Sequence, residues 1–153
     1  IAKIAVRLAA KQHPQGRFAV ASAYQLPLPD DSIDCVLRVF APSDDRELRR
    51  VLAPRGLYLE VTPAPRHLWA LRERLYDEPR SHAPSRTAIP GMQLLQQGTT
   101  VYPLTVDRPL LGDLVAMTPF AHRGHRAKRE RLLQSDALAL EMMFSLSLFQ
   151  KEG

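Results

Sequence analysis

From Ile33 to Phe40 the chain reads Ile-Asp-Cys-Val-Leu-Arg-Val-Phe, a mostly apolar run rich in branched residues. Continuous runs of this kind suit a parallel strand buried on both faces. The next twenty residues fix how it connects. Ser43 can cap a helix, Asp44 and Asp45 lie in its first turn where they favour the positive end of the dipole, and Leu48, Val51 and Leu52 form its apolar side. Pro54 and Gly56 stop that helix, and Leu57 to Thr62 is the next short apolar run. Strand, helix and strand in this order predict an α/β unit with parallel strands.

The flanks extend the alternation. Residues 1–13 place Ile1, Ile4, Ala5, Leu8 and Ala9 on one helical face and Lys3, Arg7 and Lys11 on another, until Pro14 and Gly16 end the pattern. Arg17 to Ser22 reads as a short strand. Leu26-Pro27-Leu28-Pro29-Asp30-Asp31-Ser32 reads as a loop, because its two prolines lack donors. Pro63 and Pro65 make a rigid turn before a helix over residues 66–76, marked by Leu68, Leu71 and Leu75. Residues 77–92 carry prolines and read as a loop. Gln93 to Val106 predicts a strand or hairpin arm, and Asp107 caps a helix with Pro109 in its first turn. Ala137 to Gln150 is apolar and ambiguous, with a final strand near Phe144–Phe149 as one outcome. Residues 1–153 read as part of one domain.

Composition narrows the function classes. No apolar run approaches the roughly 18–20 residues needed to span a bilayer, so the chain reads as soluble with no membrane partner. Cys35, the only cysteine, excludes an internal disulfide and a thiolate zinc cage; it is expected as a small buried hydrophobe, and a reducing cytoplasm fits it. No metal site is expected. A formal charge of +5 attracts polyanions, although many basic proteins never touch nucleic acid.

Open α/β sheets bind ligands at the carboxyl ends of their strands. Three such ends have suitable residues: Ala21-Ser22-Ala23, Arg38-Val39-Phe40-Ala41-Pro42 and Thr62-Pro63-Ala64-Pro65-Arg66-His67. The Leu26-Pro27 loop, the Asp-Asp-Ser-Ile-Asp run into a strand, and Glu47 to Gly56 after it together resemble the Class I methyltransferases. Members of that class usually show Lys-Pro-Gly-Gly where this chain has Ala53-Pro54-Arg55-Gly56.

A narrower resemblance spans nearly the whole chain. Arg38 to Pro42, Thr62 to Leu68, His82-Ala83-Pro84 and Met117-Thr118-Pro119-Phe120-Ala121 together resemble the bacterial 23S ribosomal RNA guanine-N1 methyltransferases. That resemblance implies a Rossmann-like sheet, S-adenosylmethionine as cofactor, and methyl transfer to N1 of a guanine in a 23S rRNA hairpin. By resemblance His67 contacts the cofactor; the competing reading is a helix cap or a solvated ring. Ser22, with Ala21, is implied at the adenine, or else in an ordinary turn. Phe40 beside Pro42 offers a stacking edge for an extruded base, or simply packs at a strand end. Arg66 touches RNA phosphate or an acidic partner. The run His122 to Arg131 holds Arg123, Arg126, Lys128, Arg129 and Arg131 against one acid, which suits phosphate contacts or a solvated helix start. No general base stands out: Asp34 and Glu60 lie in strand runs without a visible partner.

The Gly-rich turn and ribose-binding acid of the class have no counterpart before Lys3, and neither has the cysteine zinc module of the narrower family. The expectation is a fragment beginning after the first two strands. Such a sheet has an open edge and exposed apolar faces, which predicts an inactive, weakly folded chain or a homodimer. A small-molecule methyltransferase and a non-catalytic basic RNA-binding module are the alternative readings.

Overall fold

In the computed structural model, which describes residues 3–118 and 126–153, the alternation resolves into helix α1 (Lys3–Gln12), strand β1 (Ile33–Val39), helix α2 (Asp45–Val51), strand β2 (Leu52–Pro63) and helix α3 (Trp69–Leu75). Strand β3 (Met92–Asp107), helices α4 (Arg108–Met117) and α5 (Arg126–Leu132), and strand β4 (Ala137–Lys151) complete the order. One sheet has the order β1-β2-β4-β3. β1 and β2 are parallel, as a strand–helix–strand unit requires, and β4 runs antiparallel to both β2 and β3. The ambiguous apolar stretch at the end is therefore a full strand of 15 residues inserted between β2 and β3.

Alternation along β4 separates two cores. Leu138 and Leu140 point to the face covered by Leu71 and Leu75 of α3, Leu111 and Val115 of α4, and Leu132 of α5. Phe149 points to the other face, where it stacks on Tyr58 at 5.9 Å and packs with Leu48 of α2, Ile89 and Met92. Asp107 caps α4 as expected, accepting from the Leu110 amide, with Pro109 in the first turn.

The two halves of the Class I pattern touch each other. Glu47 accepts from the Leu26 amide at 2.6 Å and from Arg50, whose guanidinium donates to the carbonyls of Leu26 and Leu28 and to Asp30. The Leu-Pro loop is thus held by one acid and one base of α2. Those hydrogen bonds push the Glu47 carboxyl down to about 2, the bond from Arg50 contributing most. Backbone geometry explains the Pro-Arg-Gly variation as well. Arg55 takes φ of 61°, a left-handed conformation that suits glycine, whereas a Cβ at Gly56 would lie 2.8 Å from the Ala53 carbonyl oxygen.

Several expectations are corrected. Arg17–Ser22 is exposed and forms no strand; its only ladder contact is the Ser22–Gln25 bridge, because no described strand offers a partner. β1 is not buried on both faces: among the described residues it pairs with β2 alone, and Leu37 is 62% and Val39 53% exposed. For the same reason Cys35 is exposed rather than buried. Asp44, not Ser43, caps α2, accepting from the Arg46 amide at 2.7 Å, because the Ser43 hydroxyl is taken by Arg38. Pro54 and Gly56 lie inside β2, in an irregular first segment, and α2 ends before them at Val51. Helix α3 starts at Trp69 rather than residue 66, since Leu68 takes φ of 53° and residues 66–68 form a turn. The apolar face of α1 is left largely open: none of its residues is buried, and Ile4 and Leu8 stay exposed. The open edge and bare apolar face expected for this sheet are present.

Candidate active site

A cleft of about 1110 Å³ opens at the carboxyl ends of the parallel strands β1 and β2. Phe40, Ala41 and Pro42 leave β1 into it, Thr62 and Pro63 end β2 beside it, and His67 and Leu68 stand at the turn into α3. His82 and the α4 terminus, Met117 and Thr118, close other sides. Residues separated by most of the chain therefore meet, and they come from all four segments that carry the narrower resemblance.

Strained backbone shapes the two strand exits. Phe40 (φ 53°) and Leu68 (φ 53°) are both left-handed and both line the cleft. Non-glycine residues hold that conformation only where the surroundings enforce it. The Phe40 amide donates to the Val61 carbonyl at 3.1 Å, and the Leu68 amide donates to the Glu141 carbonyl at 3.1 Å. As a result Phe40 turns its ring off the strand, half exposed, against Phe144 at 5.8 Å and His67 at 5.7 Å.

His67 is 7% exposed. Its Nδ1 lies 2.7 Å from the Met143 carbonyl, a pure acceptor, so Nδ1 carries the proton and neutral His67 has Nε2 as an acceptor. The Met143 carbonyl also takes the Ala64 amide at 3.0 Å, tying the Thr62–His67 segment to β4. Burial pushes the His67 pKa below its usual value, and the charge of Arg72 adds to this against the opposing bond to Met143. His82 lies next to it, with ring centroids 6.2 Å apart. Arg72 donates to His82 Nε2 at 2.6 Å, and burial, then Arg72, then His67 hold His82 below its usual value too. Both shifts favour the neutral imidazole.

Beneath the cleft lies a charged network that sequence reasoning missed. Glu60 is 2% exposed and pairs with Arg38, with Arg86 at 3.0 Å and with the Tyr58 hydroxyl at 3.1 Å. Arg86 reaches on to Asp45 at 2.8 Å. Arg38 spans the network and the cleft wall, where Arg72, Arg80 and Glu78 also stand. The signal was present as strand depth: Arg38 and Glu60 sit near the carboxyl ends of successive parallel strands, and the register makes them partners.

Not all candidate residues converge. Phe40, Pro42 and His67 share the cleft. Ala21 and Ser22 do not line it. Both are exposed, Ser22 Oγ accepts from the Tyr24 amide at 3.2 Å, and their neighbour Ala23 lines a smaller hollow of about 130 Å³ on the far side of Arg38 and Pro42. Arg66 is exposed, with its guanidinium 5.0 Å from the Trp69 ring. On α5, Arg126 pairs with Glu130 and Lys128 with Asp77, while Arg129 stays on the same short helix. Arg123 and the rest of His122–His125 lie outside the described residues, as do Pro119, Phe120 and Ala121. Among the described residues, no cluster of His, Cys, Asp or Glu is arranged to hold a metal, and no helix is long and apolar enough to cross a membrane.

No protein-family model matches the chain. A 23S rRNA (guanine(748)-N(1))-methyltransferase of Streptomyces fradiae is 39% identical over 124 residues, 78% of this chain and 44% of that protein. A Micromonospora griseorubida protein, provisionally named a 23S rRNA (guanine-N1)-methyltransferase, is 43% identical over 76 residues, 49% of this chain and 26% of its own. The chain thus spans less than half the length of these relatives. Among solved structures, the YcgJ protein of Bacillus subtilis superposes with a TM-score of 0.57 at 19% identity, over 99% of this chain and 80% of that one. A provisionally named methyltransferase of Bacillus halodurans gives 0.58 at 15% identity, with the same coverage. The fold is that of the Class I methyltransferases.

Proposed function

The chain is homologous, over about four fifths of its length, to proteins named 23S rRNA (guanine-N1)-methyltransferases, and from that kinship we propose that it forms the substrate-facing part of an enzyme that methylates N1 of a guanine in a 23S rRNA hairpin with S-adenosylmethionine. The observation that carries the reading is that all four segments send residues to one cleft: Arg38 and Phe40–Pro42, Thr62–Pro63 with His67–Leu68, His82, and Met117–Thr118. Its volume lies at the upper end for ligand clefts, which leaves room for a cofactor beside a base.

The cofactor fits the chemistry of these walls. Arg72 and Arg80 offer guanidinium donors for its carboxylate. When bound, S-adenosylmethionine supplies an electrophilic methyl group. The chain's own residues bind, orient and stabilise. Phe40, turned out by its left-handed backbone, stacks an extruded guanine. His67, fixed by Met143, accepts a hydrogen bond from the base's N1–H at Nε2 and takes that proton. Arg38, anchored by Glu60, stabilises the negative charge that spreads over the base as the proton leaves. The surrounding apolar side chains keep water from the transfer.

The test is single-turnover methylation of a 23S rRNA hairpin by the full-length protein, with the product base identified by mass spectrometry. Phe40→Ala and His67→Ala should each lower kcat/KM by at least tenfold without loss of fold. Methylation of a small molecule with no RNA product, or full activity in both variants, would overturn the reading.

A further inference from the structure

Phe40, Phe144 and Tyr102 form a line of aromatic rings that leaves the cleft and crosses the sheet. Phe40 and Phe144 are close to parallel, 5.8 Å apart with an interplanar angle of 25°. Tyr102 meets Phe144 edge-on, at 6.4 Å and 67°. Tyr102 sits opposite Met142 in the antiparallel ladder of β3 and β4, and Phe144 lies two residues further along β4 on the same face. Phe144 therefore serves three rings, Phe40 and His67 (5.0 Å) in the cleft and Tyr102 outside it.

The outer rings of the line are open. Phe40 is 50% and Tyr102 62% exposed. Packing does not account for Tyr102, because the core on this face is built from Val106, Leu138, Leu140 and the helices. Cations gather at the cleft end of the line: Arg72, Arg80 and the Glu60-paired Arg38 stand in the cleft wall beside Phe40, with Glu78 as the only acid among its described lining residues. Exposed rings held on a rigid sheet next to positive charge suit unpaired bases, whose faces stack while the backbone tracks the charge.

We infer that Tyr102 is a stacking site for a second unpaired base of the RNA, a loop neighbour of the base that lies on Phe40. The inference rests on the reading of the cleft as an RNA guanine site and adds a subsite to it. Phe144 stands between the two exposed rings, so the two bases are splayed apart rather than stacked on each other. Tyr102 then contributes to affinity for looped RNA and not to the methyl transfer itself.

The experiment uses the full-length protein and a hairpin in which 2-aminopurine replaces each unpaired loop nucleotide in turn. Stacking should quench the fluorescence at one position besides the target. Tyr102→Ala should relieve that quenching and weaken hairpin binding roughly tenfold, leave binding to a fully paired duplex unchanged, and raise KM more than it lowers kcat. Tyr102→Phe keeps the ring and should behave as the unsubstituted protein. Unchanged hairpin affinity in Tyr102→Ala, with methylation intact, overturns the subsite alone. A change in oligomeric state with no change in quenching also overturns it, by making Tyr102 a protein contact. If the unsubstituted protein binds no hairpin, the subsite falls together with the reading beneath it. If hairpin binding depends on Tyr102 but no guanine is methylated, the subsite stands and the enzymatic reading falls.

Discussion

Arg38 on β1 and Glu60 on β2 are register partners across the parallel ladder and form an ion pair, so the cleft wall is fastened to the sheet interior by charge. Glu60 also holds Arg86 and is 2% exposed. Removing one member of a buried pair strands the other, at a cost of about 3–5 kcal/mol. Glu60→Ala should fall within that range: Arg86, 37% exposed, keeps Asp45 and regains water, whereas Arg38, 15% exposed, is stranded. Replacing both partners, Arg38→Met with Glu60→Leu, should restore most of the stability while leaving the cleft without its fixed cation. Urea denaturation of the single and double variants checks this; a cost below about 1 kcal/mol in Glu60→Ala would show that the network does not stabilise the fold.

Arg55 should be a site where glycine is better. Its φ of 61° costs a side-chain-bearing residue roughly 1–2 kcal/mol, and its side chain is exposed, so little packing is lost by removing it. Arg55→Gly is expected to stabilise by up to ~1 kcal/mol after the extra freedom of the unfolded chain is counted. Leu68 shares the same backbone region but is buried at 4% exposure. There the loss of the side chain, about 2–5 kcal/mol for large-to-small changes in a core, outweighs the relief. Leu68→Gly should therefore destabilise. Opposite signs at two residues of equal strain are what the measurement must find.

Acid should weaken the fold in two separate windows. His67 and His82 have folded pKa values below the ordinary 6.5, so the unfolded chain takes up protons first as the pH falls. Their contribution is complete above pH 6.5 and is lost as pH drops below it, with a slope of at most ~1.4 kcal/mol per pH unit for each proton. Glu47 acts lower: with its carboxyl at about 2, its contribution is present above 4.5 and disappears as pH falls from 4.5 toward 2. His67→Asn keeps a donor for the Met143 carbonyl and removes one titrating group, so it should flatten the upper window only. A profile unchanged by that variant would mean that His67 does not titrate differently on folding.

Much of the frame was legible because local chemistry agreed with it. Pro109 and Asp107 announced α4, and the apolar run at Ile33 with the turn at Pro63 announced the parallel pair. The site was legible only in part. Phe40, Pro42 and His67 come from the rule that ligands gather at strand ends, and they meet in one cleft. Glu60 with Arg38, and Phe144 with Tyr102, depend on register between strands distant in sequence, which no local pattern encodes. Cys35 and Arg17–Ser22 misled for one reason: burial and strand pairing both need a neighbour on the outer side of β1, and the described residues contain none.

That bare edge has a consequence for the 153-residue chain expressed alone. β1 presents an unpaired ladder flanked by Leu37 and Val39, both more than half exposed, and Ile4 and Leu8 leave a further apolar strip on α1. Unprotected edges of this kind invite pairing with another chain. Self-association is therefore expected to rise with concentration in light scattering, accompanied by a broad, shallow unfolding transition. A charge on an edge strand opposes such pairing, so Leu37→Lys should shift the chain toward monomer while the far-ultraviolet circular dichroism stays the same. Because Leu37 contributes its surface mainly to solvent, the variant should lose little of the internal packing that holds β1 to β2. A sharp cooperative transition in a strictly monomeric parent chain would show instead that the remaining core suffices and that the edge is tolerated.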